Sequence, residues 1–556
     1  MRSIRTLIAS IVAVVPLVLS AAPARAAEAP PALAGTVSSA EEGAMEGVLV
    51  SAKKNGSNIT ITVVSDAQGR YRFPASRLEP GAYRISIRAA GWDIDGRVAA
   101  DVAPQKTTAL DLKLRKTQDL AAQMTNSDWL NSMPGTTQQK NILLGCVSCH
   151  SLERIVRSKY DSDGFLATVQ RMSTYANQST PLNPQKRLTT RATELVGEDR
   201  VRVQRAQSDF LASVNLSQSA TWDYPLKTLP RPKGKATQVI YTEYDLPRPT
   251  IEPHDVVTDP EGNAWYSNFG AQTIGKIDPK SGKHTEFPVP ELKKGSPVGS
   301  LSMRNDREGN LWIGMMYQAG IAKFDRKAEK FQTWAIQPAE LNQPNTQVNM
   351  TSPWYINVDG RIWSQNNGFA GVHRIDLKTG KWETWEPFKA SPQGHNIYDV
   401  VADSQNNAWF TDIGKEHIGR IDAKTGEITM YETPTKNSGP RRAMMDEQDR
   451  LWFGEYRGNA IGMLDTKSKE FKEWKLPHAW ANPYDVAVDR HGKAWTGSML
   501  NDRITRLDPK SGEFTEYLLP RSTNVRRVYI DNTTTPVTFW VGSNHGASIV
   551  KLEPLD

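Results

Sequence analysis

Three regimes of hydrophobic patterning succeed one another along the chain. Between residues 33 and 116 apolar and polar positions alternate, as in Ile59-Thr60-Ile61-Thr62-Val63 and Tyr83-Arg84-Ile85-Ser86-Ile87. Turn signals stand at Asp66-Ala67-Gln68-Gly69 and Glu79-Pro80-Gly81. A period of two bounded by such turns predicts strands and hairpins, hence a small β-sandwich. From 117 to about 228 helical stretches take over: Gln138 to Leu144, Asp163 to Met172, and a run ending in Asp209-Phe210-Leu211-Ala212-Ser213-Val214.

From 236 to 556 the pattern is a repeat. Tryptophans stand at Trp265, Trp312, Trp363, Trp409, Trp452, Trp495 and Trp540, at intervals of 47, 51, 46, 43, 43 and 45. Thirteen residues after each comes an acid: Asp278, Asp325, Asp376, Asp422, Asp465, Asp508 and Glu553. Each unit reads as four strands, the second carrying the Trp, the third ending at the acid, and the fourth following a Gly-bearing turn such as Lys280-Ser281-Gly282. Four strands at this period predict a seven-bladed β-propeller with the tryptophans packed between blades. The seventh unit ends without a fourth strand, whereas Tyr241 to Pro247 echoes Phe514 to Pro520. The early strand is therefore expected to close the last blade and hide two open edges. The fold class is multidomain and mainly β, with one small α-helical domain.

Composition narrows the functions. With 556 residues there is room for roughly three to five domains, and 38% hydrophobic with 23% charged residues excludes disorder and a coiled coil. Residues 1–26 combine Arg2 and Arg5, an apolar run from Leu7 to Leu19 and the small-residue site Ala24-Arg25-Ala26. This reads as a secretory signal peptide, the run being shorter than the roughly 20 residues of a spanning helix. The expectation is a soluble, exported or periplasmic protein with no membrane span. Loss of Arg2, Arg5 and Arg25 takes 68 cations to 65 against 61 acids, a net +4, too small an excess to indicate nucleic acid.

The two cysteines stand in Cys146-Val147-Ser148-Cys149-His150. Two thiols in one turn can bond the two vinyl groups of a porphyrin, and the adjoining imidazole can ligate iron; the spacing is the attachment signature of haem c. A zinc site would need further thiols or imidazoles nearby, but there is no other cysteine and His150 is the only histidine before His254. One covalent haem is expected. Met172 is the only methionine between His150 and Met303 and is the leading axial ligand, with Met124, Met133 or an open site as alternatives.

Around this motif residues 117–228 resemble a small cytochrome c domain. Residues 33–116, through Gly47-Val48-Leu49-Val50, the Asp66 to Phe73 turn and strand, Pro80-Gly81-Ala82-Tyr83 and Ala89-Ala90-Gly91, resemble the carboxypeptidase regulatory-like sandwich, which implies a non-catalytic spacer or binding module. Residues 236–556, through Leu451-Trp452-Phe453-Gly454-Glu455 and Ile461-Gly462-Met463-Leu464-Asp465, resemble the virginiamycin B (streptogramin) lyase propellers. That resemblance implies magnesium and a general base held by a Glu-x-His pair and a second Glu. Glu252-Pro253-His254 matches the pair and makes Glu252 and His254 the catalytic candidates. Asn268, however, stands where the second Glu is expected; Glu455 has the local motif, but Arg441 and Arg442 precede it instead of histidine. Ile375 to Trp385 also looks like the docking repeat of quinoprotein dehydrogenases, although those propellers have eight blades and often a vicinal disulfide.

Polar residues gather near the blade entries or just past the Trp strand, positions that converge near the axial channel of a propeller. Arg441, Arg442, Glu455, Arg526, Arg527 and His545 are the ligand-binding candidates, and the two Arg-Arg pairs point to an anion. The reading is an exported c-type cytochrome carrying single electrons, whose propeller binds a redox partner or a small-molecule substrate at its channel. A haem-linked oxidoreductase, a quinoprotein-type enzyme and a magnesium-dependent lyase are the alternatives.

Overall fold

The computed structural model describes residues 30–191, 194–337 and 343–556; the expected signal peptide lies outside the described residues. The chain is mainly β. Its N-terminal part is sandwich-like. Leu33–Ser39 pairs in parallel with Leu112–Lys116 and antiparallel with Arg70–Phe73, while Leu49–Lys54, Ile59–Val64, Gly81–Arg88 and Ala99–Val102 form the facing sheet. The alternating positions Val50, Ile61, Tyr71, Phe73 and Ile85 are buried together, as the period of two requires.

The tryptophan repeat folds into propeller-like units. Six four-stranded antiparallel sheets follow in chain order from Pro253–Thr258 to Phe514–Leu518. A seventh unit consists of Val525–Asp531, Thr538–Ser543 and Ser548–Pro554, completed by Val239–Asp245 in a register running from Val239 opposite Pro554 to Asp245 opposite Ser548. The first innermost strand, Pro253–Thr258, packs on the seventh, Val525–Asp531.

Each buried tryptophan needs a partner for its indole N–H. In five units this is an Asp six residues earlier: Asp259, Asp306, Asp403, Asp446 and Asp489 accept from Nε1 at 2.7–3.0 Å. The acid thirteen residues after the Trp has another role. Asp376 and Asp422, for example, accept backbone N–H groups of the following hairpin turn.

One feature differs from the sequence expectation. The closing strand does not leave a free edge, because Tyr244 to Ile240 pairs with Ile59 to Val63 of the sandwich, and an eight-stranded sheet runs from the seventh unit into the N-terminal domain. Glu553, the acid of the unit without a following hairpin, forms an ion pair with Arg77 of the sandwich at 2.9 Å. The sandwich is thus continuous with the propeller rather than a tethered spacer.

Between them, residues 117–228 supply helices: the short Asn126–Ser132, Thr137–Asn141 and Glu153–Val156 and the longer Ser162–Met172 and Gly197–Val214. The expected helix from Gln138 to Leu144 turns into a 3₁₀ stretch, Ile142–Ser148. Trp129, Leu143, Val147, Phe165 and Phe210 share one core with Phe269, Leu301, Tyr398, Tyr484 and Leu500 of the propeller. Polar contacts secure the same seam: Ser127 N–H donates to Leu500 O at 2.8 Å and Asn183 Nδ2 to Gly270 O at 2.7 Å. No described helix is long and apolar enough to cross a membrane.

Candidate functional site

Leu143 and Val147 bury one face of the 3₁₀ stretch, and this turns Cys146, Cys149 and His150 toward a cavity of about 1010 Å³ between helices and propeller. The propeller holds this loop by its backbone. Asn524 Nδ2 donates to Val147 O at 3.0 Å and Arg526 Nη2 to Ser148 O at 2.8 Å, while His545 Nε2 lies 3.2 Å from Ser148 O. Both cysteines are free, and burial pushes their thiols up, to about 12 for Cys146 and about 11 for Cys149.

His150 Nδ1 lies 2.9 Å from Ser151 O. A carbonyl only accepts, so Nδ1 carries the proton and Nε2 keeps its lone pair. Burial lowers the imidazole pKa and favours the neutral ring. Met172, at the end of its helix, lines the same cavity, whereas Met124 and Met133 are buried in the shared core and do not line it.

The propeller wall contributes Phe269, Leu301, Tyr398 and Tyr456. Among the described residues six arginines line the cavity, Arg154, Arg171, Arg191, Arg441, Arg457 and Arg526, and no Asp or Glu does. Arg441 is buried with its guanidinium 4.7, 4.3 and 4.1 Å from the ring centres of Tyr398, Tyr456 and Tyr484. It donates to Tyr398 Oη at 3.2 Å, and its Nε has no partner.

The structure divides each Arg-Arg pair. Successive side chains of a strand point to opposite faces, so Arg441 and Arg526 face the cavity while Arg442 and Arg527 turn to Asp255. Arg442 grips that carboxylate with both terminal nitrogens, at 2.5 and 2.9 Å, and Arg527 adds a contact at 3.1 Å. Arg304 pairs with Asp399 through one nitrogen, Nη2, which donates to both carboxylate oxygens at 2.8 Å, while Nη1 donates to Thr351 O and Val400 O. Burial alone would raise the Asp255 pKa, but Arg442 and Arg527 outweigh it and hold the carboxyl well below its usual range. The expectation that all four arginines grip a ligand is therefore corrected for two: Arg442 and Arg527 are neutralised by Asp255, whereas Arg441 and Arg526 face the cavity, Arg526 also holding the cysteine loop together with His545.

The lyase-like residues are buried but do not assemble into a three-ligand cluster among the described residues. His254 is fully enclosed between Asp255 Oδ1 at 2.9 Å and Tyr484 Oη at 3.0 Å, and burial lowers its pKa to about 3. Glu252 is pushed up to about 8 by burial, against the pull of Arg526. Gly270 makes room for it, since a Cβ there would lie 2.7 Å from Glu252 Oε1. Asn268 spends its side chain locally, accepting from the Glu252 and Gly270 amides and donating to Thr273 Oγ1 at 3.1 Å. Glu455, in the fifth unit, faces Pro440 across its strand pair, and burial with the nearby Glu473 carboxyl raises it to about 9.

Comparison with known proteins agrees with this architecture. Residues 284–554 match the virginiamycin B lyase family and residues 32–115 the carboxypeptidase regulatory-like domain. The C-terminal half carries a virginiamycin B lyase family domain. Among solved structures, a streptogramin B lyase matches with 21% identity and a TM-score of 0.50, covering 58% of this chain and 99% of its own. Virginiamycin B lyase from Staphylococcus aureus matches with 24% identity and a TM-score of 0.48, over 56% of this chain and 99% of its own. A catalytically inactive form of that enzyme, solved with quinupristin, matches with 25% identity and a TM-score of 0.48 over the same shares. No curated protein matches. The lyase-family domain thus presents Tyr398, Arg441, Tyr484 and Arg526 at the repeat position that His254 occupies in the first unit. Sequence reading missed Tyr398 and Tyr456; in-register alignment of the innermost strands, setting Tyr398-Asp399 beside Arg441-Arg442 and Tyr484-Asp485, was the available signal for Tyr398.

Proposed function

We propose that this protein is an exported, haem-linked oxidoreductase: a c-type cytochrome domain seated on a closed seven-bladed, lyase-like propeller that binds an anionic substrate or redox partner. The carrying observation is the single cavity onto which Cys146, Cys149, His150 and Met172 open together with Tyr398, Arg441 and Arg526 of the propeller. Haem bound there supplies one-electron redox chemistry.

The donor set fits such a group. The two free thiols can form the thioether links, the unprotonated Nε2 of His150 is available to iron, and the Met172 thioether shares the same space. A cavity of this size suits a large organic ligand. Arg526, Asn524 and His545 fix the attachment loop against the propeller, so the cavity walls are held by two domains at once. Arg441 and Arg526 have no carboxylate partner among the described residues, and an arginine-lined wall without acids favours a carboxylate or phosphate. The tyrosines supply apolar faces that exclude water beside those charges.

The test is expression with haem maturation, followed by acid-acetone extraction and reduced-minus-oxidised spectra. Haem should stay with the wild-type chain and be lost from Cys146→Ala/Cys149→Ala. Extraction of all haem from the wild type would end the reading. A second reading, magnesium-dependent cleavage of a cyclic depsipeptide such as quinupristin, is favoured by the family match over residues 284–554. Against it stands Asn268 in place of a Glu, its side chain spent on the Glu252 and Gly270 amides and on Thr273. Magnesium-dependent linearisation of quinupristin by the cysteine-free variant, lost in His254→Ala, would support the lyase instead.

A further inference from the structure

The fourth propeller unit carries a cluster that neither reading uses. Strand Ala408–Asp412 turns through residues 413–416 into His417–Ile421, and the register sets Asp412 directly opposite His417. On its other side Asp412 pairs with Ile397, which places the preceding loop and His395 beside it. Asp412 Oδ2 lies 2.6 Å from His395 Nδ1 and 3.4 Å from His417 Nδ1, and the three ligand atoms all fall within 4.8 Å of one another.

The surroundings prepare these atoms for a cation. The other Asp412 oxygen, Oδ1, is occupied by the amides of Asn396 at 2.7 Å and Gly414 at 3.0 Å, so the carboxylate is oriented and Oδ2 is turned to the imidazoles. Asp412 is fully buried, and among the described residues no Lys or Arg forms an ion pair with it. His417 Nδ1 is buried and makes no hydrogen bond. Phe388 stacks on His395 with ring centres 3.8 Å apart and planes at 10°, which fixes the ring and shields one face. A buried anion with an unpaired imidazole nitrogen beside it is a costly arrangement when left alone.

We infer that His395, Asp412 and His417 form a binding site for one divalent transition-metal ion of the Zn²⁺ class. Two imidazoles with one carboxylate are a nitrogen and oxygen set that suits zinc or ferrous iron, whereas magnesium prefers oxygen donors. Three protein ligands leave at least one coordination position open, as in catalytic rather than structural sites. His395 also lines the large cavity, so the ion sits in the wall facing the proposed ligand. It is separate from Glu252, His254 and Glu455, and it does not depend on the haem reading.

The experiment uses the full chain as purified, stripped of metal by a chelator, titrated with Zn²⁺ by calorimetry and assayed for bound zinc after gel filtration. One equivalent is expected. His395→Ala/His417→Ala should lose that equivalent, and Asp412→Asn should weaken it at least tenfold, with near-ultraviolet dichroism unchanged. The single variant His417→Gln serves if the double variant misfolds and should also weaken binding at least tenfold. Absence of stoichiometric uptake by the wild type, or uptake that survives in these variants and is lost in Glu252→Gln, would overturn the assignment.

Discussion

Asp255→Asn isolates the charge network beneath the cavity. In the wild type this carboxylate is fully enclosed and accepts two contacts from Arg442, one from Arg527, one from His254 and one from the Met303 amide. The amide of Asn preserves shape but removes the charge, which leaves Arg442, 1% exposed, without its main counter-ion. Arg527, 21% exposed, can recover hydration, so the cost concentrates on Arg442, whose other acidic neighbour, Asp399, is 3.9 Å away and already gripped by Arg304. Breaking a buried pair from one side costs about 3–5 kcal/mol. At about 2 °C per kcal/mol for a large domain, the propeller transition should fall by roughly 6–10 °C. The assay is thermal and urea unfolding followed by tryptophan fluorescence, with Asp255→Asn/Arg442→Met as a control that should recover part of the loss. A variant within about 1 kcal/mol of wild type would refute the view that Asp255 organises the axis.

Asp485 tests the same network through pH. Burial raises its pKa to about 7, only partly opposed by Arg442. A raised acid binds its proton more tightly when folded, so its stabilisation is complete below about pH 4 and is lost as pH rises through 7, at up to about 1.4 kcal/mol per pH unit. Asp485→Asn should flatten that decline in unfolding midpoint between pH 4 and 8; an unchanged profile would contradict it. For the cavity, Arg441→Gln should weaken binding of an anionic ligand or partner about tenfold and remove most of its salt dependence, because Arg441 has no counter-ion among the described residues. Arg442→Gln should act chiefly on stability, and equal effects of the two on binding would dismiss the division between them.

The repeat was legible from its tryptophans because each must be buried at the same place in its unit, and the following acid because a tight hairpin needs a side chain to accept its amides. The CxxCH motif was legible because its chemistry is local to one turn. What sequence order could not show was which faces the paired arginines take. Neighbours in a strand point oppositely, and only the position of Asp255, nearly two hundred residues before Arg442, decides which of them is neutralised. The same holds for the sandwich: alternation predicted its strands, but their pairing with the closing strand of the propeller is an edge-to-edge match between segments far apart in the chain. The cavity is the clearest case, since Cys146 and Arg441 come to face it only when the helices bury Leu143 and Val147 against the propeller. Local chemistry and periodicity follow from the order of residues, whereas convergence depends on how separately formed elements close around a common core.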